Sequence, residues 1–150
     1  MRSVKGFTLI ELMVALVILA IGLSLGSIAF TGSLERTRAD SDANELLHVF
    51  SWARLQAINN SSTVTISALT DDNWAQDISV ELNGQVIRSL PGFRNGAVVA
   101  ATGDVDEVAF DALGGLGSPA NAVTFTYTLG EQTRTVLLCP TGRAQAGGAC

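Results

Sequence analysis

From Leu12 to Leu34 the chain runs for 23 residues without one charged side chain. No other feature restricts the possible folds as much. A helix of about 20 apolar residues spans the hydrocarbon core of a bilayer, so this run reads as a membrane anchor. Arg2 and Lys5 precede it, and the next basic residue is Arg36. Positive residues stay on the cytoplasmic side, which predicts a single pass of an inner membrane with the C-terminal part facing a periplasm. A secretory signal is cut after its apolar region, at small residues. No clear site of that kind precedes the charged region, so the run is expected to stay.

Glu11 is the odd residue, six positions after Lys5 inside an otherwise apolar stretch. An acid near the bilayer interior costs on the order of 2–3 kcal/mol and is usually kept for a purpose. Glu11 either lies near enough to the interface to stay hydrated, or is a buried acid awaiting a cationic partner. The residues Lys5-Gly6-Phe7-Thr8-Leu9-Ile10-Glu11-Leu12 resemble the class III signal of type IV prepilins and type II secretion pseudopilins. The resemblance implies cleavage between Gly6 and Phe7 by a prepilin peptidase and N-methylation of Phe7. It also implies that Glu11 pairs with the Phe7 amine of a neighbouring filament subunit. Its other implied partners are further pilins or pseudopilins and an inner-membrane assembly platform. The chemistry agrees, since an α-amine with a pKa near 8 is cationic at neutral pH and an unpaired buried carboxylate is costly.

After Glu35 the pattern becomes amphipathic. Ala39, Ala43, Leu46, Leu47, Phe50, Ala53, Ala57 and Ile58 recur at three- and four-residue steps, as one face of a helix requires. Arg36, Arg38, Asp40, Asp42, Glu45 and Arg54 fall mostly off that stripe. One helix is therefore expected from about Phe7 to Ile58, roughly 80 Å long, ended by Asn59-Asn60-Ser61-Ser62. Gly22 and Gly26 form a small-residue step inside the apolar run, read either as close helix packing or as local softening. Many pilins carry a proline where this chain has Ile28.

From Thr63 the period changes to two. Thr63 to Ala68, Ile78 to Leu82, Ala97 to Ala101, Val108 to Phe110, Val123 to Leu129 and Thr133 to Cys139 read as strands. Asn83-Gly84 predicts a hairpin into Gln85-Val86-Ile87, and Ala112 to Ala122, with its glycines, reads as a loop. The fold class is α+β, one long helix on an antiparallel sheet, as the pilin resemblance also implies. The expected organisation is a cleaved leader at 1–6, a membrane part at 7–34 with lipid contact over 12–34, an amphipathic part at 35–60 and a β-rich domain at 61–150.

Cys139 and Cys150, with an export signal upstream, suggest a disulfide in an oxidising compartment. It would close a loop of 12 residues, worth roughly 3 kcal/mol in the loop-entropy model. Trp52-Ala53-Arg54-Leu55-Gln56-Ala57-Ile58 resembles the helix end of the GspH/FimT group of minor pilins and pseudopilins. Asp72-Asn73-Trp74, Pro91-Gly92-Phe93-Arg94 and Gly142-Arg143 fall where that group has similar features. This implies a low-copy minor pilin of FimT/FimU type that takes part in assembly or initiation of a pilus.

Residues beyond 30 hold 7 basic and 13 acidic side chains, a balance of −6, which repels phosphate backbones. Some minor pilins of this group bind DNA through a Gly-Arg-x-Arg motif, but here Gly142-Arg143-Ala144-Gln145 lacks the second arginine. Arg143, joined by Arg134, keeps DNA as a secondary reading. A second alternative is a secretion pseudopilin, which shares anchor, processing and fold; the disulfide tilts toward the pilus. No phosphate loop, nucleophile elbow or metal-ligand cluster is apparent, so no enzyme, cofactor or metal is expected. His48, the single histidine, makes neither a metal site nor a triad by itself.

Overall fold

The computed structural model describes residues 6–70, 73–93 and 96–150, with the side chains of residues 23–31 excepted. The leader residues Arg2 and Lys5, and the Asp72 and Arg94 of the family-like segments, therefore lie outside the described residues, as do the surroundings of Gly26 and the Ile28 side chain. The chain divides into two compact units, Met1–Glu35 and Arg36–Cys150.

One helix, α1, runs Leu9–Asn60 with no proline in its 52 residues. Thr8 caps its start: the Glu11 N–H donates to Thr8 Oγ1 at 3.3 Å. Thr at the N-cap and Glu three residues on form a capping-box sequence. The other end is a Schellman closure. The Ser62 N–H donates to Ala57 O at 3.1 Å and the Ser61 N–H to Ile58 O at 3.2 Å, with Ser61 in the left-handed region at φ 47°. The side-chain amide of Asn60 adds a 2.8 Å bond to Gln56 O. Among the described residues, no helix is long and apolar enough to cross a membrane.

The strands are β1 Val64–Ala68, β2 Ile78–Leu82, β3 Gln85–Leu90, β4 Ala97–Ala101, β5 Glu107–Phe110, β6 Leu116–Ser118, β7 Val123–Leu129, β8 Gln132–Leu138 and β9 Ala144–Ala146. They form a five-stranded sheet of order β3-β2-β1-β5-β6 and a four-stranded sheet of order β4-β7-β8-β9. Every pairing is antiparallel. The Asn83-Gly84 hairpin forms with both residues at positive φ, matching the twist of its strands. In β3, Val86 opposes Glu81 and Arg88 opposes Val80, so Ile87 is the extra residue of a bulge.

One apolar core joins α1 to both sheets. Ala39, Ala43, Leu46, Phe50, Ala53 and Ala57 of the expected stripe are all buried. Phe50 and Trp74 pack against Phe125, with ring centroids 4.8 and 4.9 Å from it. The Trp74 indole N–H donates to Val105 O at 2.6 Å. In β7, Val123, Phe125 and Tyr127 point inward, as alternation requires.

The structure departs from the sequence reading in four places. Asp42, expected off the stripe, is buried, and accepts a 2.6 Å bond from the Tyr127 hydroxyl. It stands one helical turn from both Ala39 and Leu46, so helix geometry puts it inside, where the tyrosine satisfies it. Ile58, expected inside, is 41 % exposed. Successive helical residues are turned by about 100° from one another, and Ala57 holds the buried position in this last turn. The expected loop at 112–122 contains β6, paired with β5. The tail contains β9, paired with β8, and its Ala144 packs against the core. Strands of three residues carry too little alternation to be read in sequence.

Candidate functional site

Two places hold the residues singled out by sequence. At the N-terminus, Gly6 and Glu11 are exposed and Phe7 is 83 % exposed. Glu11 stands in the first turn of α1, where a negative charge is favoured by the helix dipole. Only Thr8, Leu9 and Ile10 separate it from Phe7, whose amine the expected cleavage would create. From Leu9 to Ile21 every large apolar side chain is more than half exposed, so a single chain leaves the apolar surface of this stretch uncovered. At Gly22 an added Cβ would likewise meet nothing within 4 Å.

The second place lies at the far end of α1. Arg54 donates from Nε to Gly114 O at 2.7 Å. Gly114 leaves room for the helix: a Cβ there would come within 2.6 Å of Ile58 Cδ1 and 3.1 Å of Arg54 Nε. Gly142 then packs on the same spot, and a Cβ there would lie 1.9 Å from Gly114 O. Both glycines have positive φ, 80° and 75°. The Leu116 N–H donates to Pro140 O at 2.9 Å, tying the start of β6 to the loop after β8. Cys139 and Cys150 form a disulfide with Cα atoms 5.5 Å apart. Arg54 and Ile58 stand one turn apart in α1 and Gly142 far from them in sequence, and the fold brings them together around Gly114. Sequence reasoning did not identify Gly114 as their meeting point; it stood only as one glycine of a loop.

The two arginines raised as DNA contacts are not brought together. Arg134, in β8, donates from Nε to Asp40 Oδ1 at 2.5 Å and from Nη1 to Thr133 O at 2.8 Å. Its hydrogen bond holds the Asp40 carboxyl below the ordinary carboxylate value, desolvation opposing and the Arg134 and Arg36 charges assisting. Arg143 is exposed, and its backbone carbonyl pairs with the Cys139 N–H. Five residues of extended chain separate Cys139 from Arg134, about 16 Å. His48 is exposed in an open groove with Ser41, Asn44, Glu45 and Arg88. Among the described residues, no group of three or more His, Cys, Asp or Glu side chains is placed to hold a metal ion.

A capped N-terminal helix, bearing an acid in its first turn and leading to a helix packed on antiparallel sheet, is the architecture of the pilin class of structural filament proteins. The chain belongs to the family of the type II transport protein GspH, whose model matches residues 42–142. Residues 1–27 match the prokaryotic N-terminal methylation motif. The structure is similar to two crystal forms of the type IV minor pilin FimU of Pseudomonas aeruginosa strain PAO1. One is 26 % identical, covers 76 % of this chain and 91 % of the crystallised FimU chain, and has a TM-score of 0.68. The other is 25 % identical, covers 73 % and 92 %, and has a TM-score of 0.64. No curated protein matches the chain. The family carries a membrane-anchored N-terminal helix and builds filaments, and its members are generally structural rather than enzymatic.

Proposed function

We propose that this protein is a minor subunit of a type IV pilus that helps initiate or extend the filament. The observation that carries this reading is the likeness to the minor pilin FimU across 91 % of its crystallised chain, joined to the N-terminal methylation motif. In this proposal a prepilin peptidase cuts between Gly6 and Phe7 and methylates the new Phe7 amine. Residues 7–34 anchor the subunit in the inner membrane, 35–60 carry the helix into the periplasm and 61–150 form the outward domain. Glu11 then pairs with the Phe7 amine of the next subunit, which offsets the cost of both charges in lipid. The acid's exposure in the single chain leaves it available for such a pair.

The test is the amount of pili sheared from a clean deletion strain, with and without complementation. Loss of pili, restored by the gene, is the expected result. Unchanged pilus yield would move the reading to a secretion pseudopilin. The family's description as a type II transport protein favours that alternative, and a secretion assay on the same strain would follow. DNA uptake is the least supported reading, because Arg134 is engaged by Asp40 and stands about 16 Å along the strand from Cys139, whose N–H pairs with Arg143.

A further inference from the structure

Of the four sheet edges among the described residues, three are blunted. β6 and β9 are three residues long. β3 carries the bulge at Ile87 and the charged Arg88. Short length, bulges and charge keep an edge from pairing with another chain. β4, an outer strand of the four-stranded sheet, has none of them. Its residues, Ala97-Val98-Val99-Ala100-Ala101, include no charge and no proline, and its register with β7 runs without a shift.

The direction of its backbone groups follows from one hydrogen bond. The Thr102 N–H donates to Thr124 O at 2.9 Å, which continues the β4–β7 register by one pair. Bonded and non-bonded pairs alternate along an antiparallel ladder. Val98 and Ala100 therefore bond to β7, and Ala97, Val99 and Ala101 turn their N–H and C=O groups outward. Among the described residues those outward groups meet no backbone partner. Val98 is 57 % exposed and Ala100 is exposed, so the outer face of the strand is open as well.

A recess of about 150 Å³ adjoins the end of this strand, lined by Trp74, Ala100, Ala101, Asp104 and Val105. The Trp74 indole N–H is occupied by Val105 O, so the tryptophan offers apolar surface only. Asp104 supplies the one charge. It is exposed, and among the described residues its carboxylate makes no hydrogen bond or ion pair. Glu107 nearby is also exposed, and no basic residue stands between Arg94 and Arg134 in the sequence. Apolar walls with a carboxylate at the rim match an aliphatic stem that ends in a cation, which is a lysine side chain.

We propose that β4 is a docking edge for an extended segment of a different protein, which adds a fifth strand to the four-stranded sheet and lays a lysine side chain in the recess against Asp104. Backbone bonds to Ala97, Val99 and Ala101 would hold the strand, while the recess selects the side chain. A second copy of this chain does not fit that description, because Lys5 in the leader is its only lysine. The contact is the same for a pilus and for a secretion filament, so it stands apart from the choice between them.

The test uses the full-length protein in detergent micelles and a blocked, fluorescent peptide of alternating threonine and valine with one lysine at its end, read by anisotropy. Saturable binding is expected. Asp104→Asn should weaken it about fivefold, and less so in high salt. Norleucine in place of the peptide lysine should cause the same loss in the unaltered protein and no further loss in the variant. Ala101→Pro removes one outward N–H without touching the β7 ladder, and should abolish binding at an unchanged melting temperature. N-methylation of alternate peptide amides should abolish it too, with the protein unaltered. No saturable binding at millimolar peptide, equal binding of the N-methylated peptide, or indifference to Asp104→Asn would each overturn the proposal. So would disulfide-linked dimers of this chain formed by Val98→Cys in its own membrane.

Discussion

Gly142 shows how much a single missing atom can decide. Its φ of 75° disfavours any side chain, and a Cβ would lie 1.9 Å from a backbone oxygen that cannot move alone. Gly142→Ala should therefore destabilise the domain by about 2–4 kcal/mol, read as a fall in the melting temperature of the full chain. Tyr127→Phe should cost about 1–3 kcal/mol in a denaturant titration, since it withdraws a donor from the buried Asp42 carboxyl. Asp40 acts differently, being exposed and paired with Arg134 across 2.5 Å. A carboxyl whose folded pKa is lowered adds stability above its unfolded value, near 3.9, and loses it as pH falls through the folded value. Arg134→Ala should therefore flatten the acid limb of the stability profile, and less so in high salt. Of these contacts, only the burial of Tyr127 was legible in sequence, from the alternation of β7. Asp42 looked like a solvent acid because charge masked its place on the helical stripe.

Among the elements, α1 was the most legible. Its apolar steps and the Asn59–Ser62 stop signals are local, and helix ends are written in local chemistry; the Thr8 cap, which moves the start from Phe7 to Leu9, was not read in sequence. The strands at 64–68, 78–82, 97–101 and 123–129 were also legible, through alternation and the Asn83-Gly84 turn. β6 and β9 were not. Each has three residues, and each exists because a longer neighbour, β5 or β8, offers an edge for it. The disulfide holds the tail that follows β9. Replacing Cys139 and Cys150 with serine should lower stability by about 3 kcal/mol. The same change should expose the tail to proteolysis, which a time course of limited digestion would show.

At the scale of the whole molecule, the protein is a structural subunit of the pilin class that divides into two compact units. If Glu11 registers neighbours, Glu11→Ala should be processed normally at Gly6 yet fail to enter sheared pili. Normal incorporation would remove that role from Glu11. The N-terminal methylation motif was legible directly, because its residues are near one another in sequence. The helix end and most strands were readable for the same reason: period and capping are local properties. Tertiary structure alone decided the two sheet orders, the burial of Asp42 under Tyr127 and the meeting of Arg54, Ile58 and Gly142 around Gly114. Those depend on which segments pack side by side, and distant pairing is set by the summed fit of the core rather than by the residues at any one position.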